Sequence, residues 1–321
     1  IMATGGFSAN VQMRETQVPY LTEELREIRH QIHENPELGL QEFKTSALVA
    51  EKLRQWGYEV EQGLATTGIV ATLKVGDGEK SIGLRADMDA LPIYENSGKP
   101  WASKHPGLMH ACGHDGHTTI LLGAARYFAE TRRFNGTLRL IFQPAEEMIN
   151  GGEIMVKEGL FDRFPCDVIF GMHNMPGLPV GKFFFQPGAL MASMDQFHIT
   201  VRGCGGHGAI PHKAIDPVLV AAHITTALQS IVSRNVDPLE AAVITVGSIV
   251  AGEAANVIPD SAEMKISVRS LSRDTRQLLL TRIPALAQAQ AASFGATAEV
   301  THVNGTPVLV NDEEMARFAW Q

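Results

Sequence analysis

The sequence predicts an α/β protein, in which a larger domain with a mostly parallel sheet contains an inserted ferredoxin-like α+β domain. Two observations indicate this fold. Up to Met172, amphipathic helical segments alternate with short apolar runs, as expected where helices connect buried parallel strands. From about Pro187 the order becomes strand, helix, strand, strand, helix, strand, which is the split βαβ pattern. We expect the larger domain at 14–186 and the insert at 187–296, with 297–321 returning to the larger domain.

The larger domain begins with two predicted amphipathic helices. Apolar residues recur at helical spacing from Leu21 to Ile32 and from Phe43 to Trp56, and Pro36 and Gly57 mark their ends. A third helix is predicted from about Thr118 to Glu130. The apolar runs interpreted as strands are, in order, Ile69 to Val75, Ser81 to Ala86, Thr137 to Phe142 and Asp167 to Met172. Ligands bind beyond the carboxyl ends of the strands in such sheets, so the residues that follow these runs are candidates for a site.

The insert begins with an alternating strand, Gln196 to Val201, which is followed by the glycine-containing turn 203–206. Its later elements are a helix from Pro217 to Ser233, strands at Ala242 to Val250 and Ala262 to Val268, a helix from about Asp274 to Ala292 and a strand at Thr297 to Val303.

The composition argues against binding to nucleic acid and against a membrane span, and it favours a cytoplasmic setting. With 27 basic and 35 acidic residues the net charge is −8, and no cluster of Lys and Arg offers a surface for nucleic acid. The longest charge-free apolar stretch, Pro217 to Ser233, includes His223 and Gln229, so it predicts a core helix and no membrane span. Three cysteines cannot all pair within one chain, which favours a reducing, cytoplasmic setting.

The segment His110 to His117 concentrates metal donors in eight residues. Cys112 and His114 lie two apart in a glycine-containing loop before a helix, where both can turn toward one ion. A buried cysteine beside surface histidines would give the same pattern. These residues alone leave both interpretations open.

Two further strand ends carry donors. Glu146 and Glu147 follow Gln143-Pro144, and their side chains should point in different directions, so that one binds metal and the other faces a water. His173 follows the apolar run that ends at Met172. A solvated glutamate pair and a loop histidine are the alternatives. Because three strand ends carry donors together, metal binding is the favoured interpretation.

Four segments resemble the signature blocks of the M20 metallopeptidase clan, namely 84–92, 109–118, 143–147 and 171–175. The likeness is greatest to its amidohydrolase branch, which includes aminoacylases, hippurate hydrolases and indole-acetyl-amino-acid hydrolases. The segment Arg29 to Leu38 also fits, so the likeness runs through nearly all of the chain from about residue 20.

The resemblance implies a catalytic domain that holds two divalent ions per subunit. It implies that the ligands are Cys112, His114, Glu147 and His173, that Glu146 is the general base, and that Asp87 or Asp89 orients a ligand. This donor set suits Zn²⁺ or Mn²⁺, and Co²⁺ or Ni²⁺ would also fit it.

The resemblance makes the insert a lid that also mediates dimerisation. It implies that His207 reaches the partner subunit's site and stabilises an oxyanion, and that Asn256 and Arg269 hold a substrate carboxylate. Considered without the resemblance, these residues are a mobile-loop histidine, a turn asparagine and an exposed strand-end arginine. A homodimer or a higher homo-oligomer through the lid is expected.

The implied reaction is metal-dependent hydrolysis of the amide bond of an N-acyl amino acid. A dipeptidase or carboxypeptidase of the same clan is the alternative reaction. A catalytically impaired protein that only binds ligands in its pocket, or a dimerisation scaffold, are alternatives of other classes. The family's last metal ligand is a histidine near the C-terminus, and His302, in a predicted strand, does not match it. We therefore expect either a truncated sequence or a weakly bound second ion.

Overall fold

A computed structural model describes residues 18–147, 150–179 and 182–321. The chain divides into two compact units. The first extends to Phe185 and includes Met315–Gln321, and the second is Gln186–Glu314. Within the described ranges, no helix combines the length and the apolar character that crossing a membrane would require.

The first unit is built on a mixed five-stranded sheet in the order β1-β2-β4-β3-β5. Its elements are α1 (Val18–Glu34), α2 (Phe43–Gln55), β1 (Glu59–Leu64), β2 (Gly68–Val75), β3 (Ser81–Asp87), α3 (His114–Thr131), β4 (Gly136–Gln143), α4 (Gly151–Lys157), α5 (Leu160–Arg163) and β5 (Val168–Gly171). The α/β class is confirmed, but among the described strands only β3 with β4 and β3 with β5 pair in parallel. β1 and β2 are antiparallel because the turn between Leu64 and Gly68 is too short for a parallel connection.

Two apolar layers cover this sheet because neighbouring residues along a strand face opposite sides. Ile69, Ala71 and Leu73 of β2 pack with buried residues of α1, α2 and α3. Val70, between them, packs with Met155 of α4 and Leu160 of α5 in a separate cluster on the other face. The inner strands β2, β3 and β4 are therefore largely buried, and the carboxyl ends of the strands remain available for polar groups.

The second unit has the ferredoxin-like fold that the order of elements predicts. Its elements are β6 (Gly188–Met191), β7 (Ser193–Arg202), β8 (Gly206–His207), a 3₁₀ turn (Pro211–Lys213), α6 (Pro217–Arg234), β9 (Ala242–Val250), β10 (Val257–Ile258), β11 (Ser261–Ser270), α7 (Arg273–Ser293), β12 (Thr297–Thr306) and β13 (Leu309–Asn311). The antiparallel sheet has the order β12-β7-β11-β9. Alternate residues of the strands are buried against α6 and α7. The final helix is α8 (Glu313–Trp320).

The end of the second unit differs from the boundary predicted at residue 296. Strand β12 pairs with β7 along its length, from Thr297 opposite Arg202 to Thr306 opposite Met194. β7 pairs with β11 along one edge, and moving β12 to the first unit would leave its other edge without a partner, so the unit continues to Glu314. The start predicted at residue 14 lies outside the described residues.

Candidate functional site

Three strand ends meet at one edge of the first unit's sheet. Asp87, the last residue of β3, pairs with Gln143, the last residue of β4. β5, on the other side of β3, ends at Gly171, opposite Arg85. Since these strands are parallel, the segments that follow them leave the sheet at the same edge, where the sequence predicted the site.

The loop before α3 brings Cys112 and His114 to this edge. Gly113 has φ of 96° and precedes the first residue of the helix. A Cβ atom at Gly113 would lie 2.5 Å from the side-chain oxygen of Asn174, so glycine is needed both for the conformation and for the close approach. The helix begins at His114 and buries that histidine completely.

The four predicted metal ligands and Glu146 lie in two overlapping groups. The ligand atoms of Cys112, His114 and His173 all lie within 4.8 Å of one another, and the same holds for His114, Glu146 and Glu147. Cys112 Sγ is 3.4 Å from His173 Nε2. His114 belongs to both groups, so the structure brings all five side chains together in the first unit.

Asp89 positions two members of these groups. Its Oδ1 lies 3.2 Å from His114 Nδ1, and its Oδ2 accepts a hydrogen bond of 3.0 Å from the backbone N–H of Glu147. His114 Nε2 then points toward Glu147 Oε1, 3.8 Å away. Both atoms are buried, and within the described part of the chain neither has a hydrogen-bond partner. Because buried polar atoms are rarely left without a partner, these two fit a bound cation.

Asp87 has a different role. It accepts a hydrogen bond of 2.7 Å from Arg85 Nη1 and lies 2.7 Å from His117 Nδ1, while the backbone N–H of Asn174 donates to His117 Nε2. Asp87, His114 and His117 also form a group with ligand-atom spacing. In that group Asp87 and His117 already have partners, so the unpartnered atoms favour the groups around Cys112 and Glu147.

The charges at this edge favour a cation. Burial alone would lower the pKa of His114, but its contacts with Asp89, Cys112 and Asp87 outweigh burial and raise the pKa to about 11. Burial also opposes ionisation of Asp87, yet Arg85 and His117 hold the pKa of Asp87 well below its usual range. Burial and the charge of Asp87 raise the pKa of Glu146.

The N-terminal motif packs against the metal-donor loop. Arg29 Nε donates to Asp115 Oδ2 at 3.0 Å, and His33 Nδ1 lies 3.0 Å from the same oxygen. His33 Nε2 lies 3.3 Å from Glu95 Oε1 on the opposite side of the ring. Asp115 directly follows His114, so helix α1 fixes the first turn of α3 through these side chains.

The remaining predicted site residues belong to the second unit. His207 in β8 pairs with Val257 in β10, and the backbone N–H of Gly208 donates to Asn256 O at 2.8 Å, so His207 and Asn256 are neighbours. Arg269 in β11 is exposed, on the face of the sheet opposite to the buried residues that pack with α6 and α7.

Comparison with known proteins identifies the family. The sequence profile of peptidase family M20/M25/M40 matches residues 83–321. The chain belongs to this family. This M20 chain is 50% identical to the hippurate hydrolase of Campylobacter jejuni over 296 residues, which cover 92% of the chain and 77% of that relative. An N-acetyl-L-cysteine deacetylase of Bacillus subtilis is 41% identical over 294 residues, which cover 91% of the chain and 70% of the relative.

Comparison with a solved structure supports the same family assignment. The M20 chain matches a dinuclear metal binding peptidase from the M20 family, of Bacillus subtilis, with a TM-score of 0.78 and 36% identity. The match covers 93% of this chain and 78% of that one. The predicted family is confirmed, and the M20 chain is a metal-dependent amidohydrolase.

Residues missed by the sequence reasoning include Arg85, His117 and Asn174. Arg85 and His117 lie inside the motifs described above, and both contact Asp87. Arg85 does so within its own strand, whereas His117 does so from a separate segment. Asn174 approaches both His117 and Gly113, and its position beside His173 was the only signal.

Proposed function

We propose that this M20 amidohydrolase cleaves the amide bond of N-acyl amino acids with a pair of divalent ions and Glu146 as general base. One observation carries the proposal. His114 Nε2 and Glu147 Oε1 lie 3.8 Å apart, both buried and without a hydrogen-bond partner among the described residues, while Glu146, the residue next to Glu147, is exposed. A ligand pair beside a free carboxylate is the arrangement that metal-assisted hydrolysis needs.

Cys112, His114, Glu147 and His173 would hold the ions, and Asp89 would orient His114 through its Nδ1. When bound, the ions supply Lewis acidity, which polarises the scissile carbonyl and makes water a stronger nucleophile near neutral pH. Glu146 takes the proton from the attacking water on its carboxylate and then delivers it to the leaving amine. Zn²⁺ and Mn²⁺ are the proposed ions, since the donors are thiolate, imidazole and carboxylate.

The substrate assignment follows from the relatives and from the second unit. Hippurate hydrolase and N-acetyl-L-cysteine deacetylase carry names of N-acyl amino acid hydrolases. We assign recognition of the substrate carboxylate to Arg269 and Asn256, because an exposed guanidinium can bind a carboxylate through two parallel hydrogen bonds. We assign stabilisation of the oxyanion to His207.

A homodimer or a larger homo-oligomer is part of the proposal. The outer strand β9 carries exposed Val243, Ile249 and Val250, and its outer edge pairs with no other described strand. Such an edge with apolar side chains is suited to pairing with a second copy. The three cysteines are free, which supports a cytoplasmic setting. Light scattering after size-exclusion chromatography measures the oligomeric state directly, and a monomer would contradict this part.

The deciding experiment is hydrolysis of N-benzoylglycine, N-acetylcysteine and a matched dipeptide, before and after chelation and after addition of Zn²⁺ or Mn²⁺. We expect chelation to abolish hydrolysis of the N-acyl substrates and either ion to restore it. Activity that resists chelation would contradict the metal mechanism. Faster cleavage of the dipeptide would instead favour a dipeptidase.

A further inference from the structure

Glu42 is a completely buried carboxylate that contacts the turn carrying the catalytic pair. Its Oε1 accepts a hydrogen bond of 2.8 Å from the backbone N–H of Ala145, and its Oε2 accepts one of 2.5 Å from the Thr67 hydroxyl. We infer that Glu42 is a positioning residue, which sets the location of Glu146 and Glu147. The inference rests on the proposed function for the roles of those two residues.

Ala145 is held in a conformation that needs support from its surroundings. Its φ is 50°, in the left-handed region that alanine rarely adopts, and its side chain is fully buried. Its carbonyl accepts a hydrogen bond of 2.9 Å from Gly151 N, so both of its backbone polar groups are used. A Cβ atom at Gly39 would lie 2.8 Å from Ala145 Cβ, which shows how closely the chain approaches from the other side.

Two buried carboxylates therefore hold the turn at alternate residues. Glu42 binds the amide of Ala145, and Asp89 binds the amide of Glu147. Glu146 lies between these two amides, so the two hydrogen bonds hold the backbone on both sides of it. A hydrogen bond from a backbone N–H to an ionised acceptor is stronger than one between neutral groups, so a carboxylate suits this task.

The consequence concerns both catalysis and metal binding. If Ala145 leaves its left-handed conformation, the backbone direction of the following residues changes, and Glu146 and Glu147 move together. A displacement of about 1 Å in a catalytic group can lower a rate by about 100-fold. Loss of a residue that orients metal ligands commonly weakens metal affinity by about 10-fold to 100-fold.

The test compares Glu42→Met, which has a similar shape but no acceptor, with Glu42→Gln, whose side-chain oxygen can still accept from Ala145 N. Gly39→Ala displaces Ala145 from the opposite side without changing any charge. Glu37→Met is the matched control, since Glu37 also binds backbone amides at the start of α2, those of Lys44 and Thr45, but not the turn. The readouts are amide hydrogen exchange at 145–147, Mn²⁺ affinity by calorimetry, and kcat and KM.

We expect Glu42→Met and Gly39→Ala to accelerate exchange at 145–147, to weaken Mn²⁺ binding about 10-fold or more, and to lower kcat with little change in KM. Glu42→Gln should recover most of each loss, and Glu37→Met should lose stability without these changes. If Glu42→Met does not fold, Gly39→Ala still tests whether displacing Ala145 moves the catalytic pair. Unchanged exchange and affinity in Gly39→Ala or in a folded Glu42→Met, or equal effects in Glu37→Met, would overturn the inference. A parent protein that hydrolyses no substrate would contradict the proposed function alone, since exchange and affinity are measured without substrate.

Discussion

Glu146 and Glu147 are adjacent residues with different surroundings, and this difference supports the roles proposed for them. The side chain of Glu146 is 41% exposed, whereas that of Glu147 is 19% exposed and has one buried oxygen that finds no partner in the described part of the chain. Because Asp89 holds the backbone of Glu147, its carboxylate is directed at His114. The exposed carboxylate is the one that can exchange protons with a water and a leaving amine.

Replacing each carboxylate separately tests this assignment. We expect Glu146→Gln to lower kcat by about 100-fold to 10,000-fold, as loss of a general base does, while the bound metal per chain stays unchanged. Glu147→Gln should lower the metal content itself, because an amide is a poorer ligand than a carboxylate. Metal analysis after dialysis, together with kcat, measures both effects. Loss of metal in Glu146→Gln with retention in Glu147→Gln would reverse the two roles.

Tyr58 is not one of the metal donors, and it allows a prediction of how the stability of the protein depends on pH. Its hydroxyl donates to Ala125 O at 2.8 Å, and its burial raises its pKa, only partly offset by Arg132. A group whose pKa is higher in the folded protein than in the unfolded protein contributes its full stability below the unfolded pKa, which is about 10 for tyrosine. This stability is lost as the pH rises above that value.

Tyr58→Phe should therefore be less stable than the parent at pH 8 by about 1 kcal/mol, the usual net value of one hydrogen bond. At about pH 11 the parent should have lost about 1.4 kcal/mol relative to the variant, which closes the gap. Urea unfolding of both proteins at the two pH values, in chelator, measures the difference. If the difference in unfolding free energy between the parent and Tyr58→Phe is the same at both pH values, the pKa of Tyr58 is not raised in the folded protein.

At the scale of elements, helix α2 receives its N-terminal cap from outside the helix. Glu42 precedes its first residue but does not cap it. Glu37 instead accepts hydrogen bonds from Lys44 N at 3.0 Å and Thr45 N at 2.9 Å, which are amides without partners inside the helix. A sequence search for a capping residue directly before the helix cannot find this contact.

Glu37→Ala should lower the free energy of unfolding by about 1 kcal/mol, the usual cost of losing a cap. Glu51→Ala in the same helix is the control, because it changes the net charge equally and removes only an exposed contact with Gln55. Denaturant unfolding of the three proteins gives the comparison. Equal losses in both variants would mean that charge, and not capping, explains the effect.

Element prediction succeeded where burial produced a clear apolar pattern and failed where it did not. β2, β3 and β4 are apolar runs covered on both faces, and the sequence located them within about two residues. β1 was missed, since this edge strand is mostly exposed and its polar residues show no alternation. Helix α3 begins at His114, four residues before the predicted start, because its first turn buries polar residues of the site.

Across the whole molecule, the fold class and the donors were predictable, but the contacts among donors were not. Motifs and resemblance named Cys112, His114, Glu147 and His173, and the structure brings them together. The mixed sheet depends on a short turn, and the unit boundary depends on the pairing of β12 with β7, which is a contact between distant segments. The positions of Asp89 and Glu42 likewise follow from folding and not from local sequence.

The second unit offers a prediction at this scale, since it is a single continuous segment with its own core. Residues 186–314 contain the complete βαββαβ order, and their buried cluster draws on both helices and on β7, β9 and β11, while partly buried residues of β12 pack against it. Among the described residues, every member of the candidate metal-donor groups lies in the first unit. We expect fragment 186–314 to fold cooperatively, with an unfolding midpoint that excess Mn²⁺ does not change.

The intact protein should respond differently, because a ligand that binds only the folded state stabilises it by about 2.7 kcal/mol at 100 times its Kd. Its unfolding midpoint should rise with Mn²⁺, and His114→Ala should abolish the rise, since His114 belongs to both donor groups. Calorimetry of the fragment, the intact protein and this variant, each with Mn²⁺ or chelator, measures the effect. A shift in the fragment would place a metal site in the second unit, and an unfolded fragment would show that its core depends on the first.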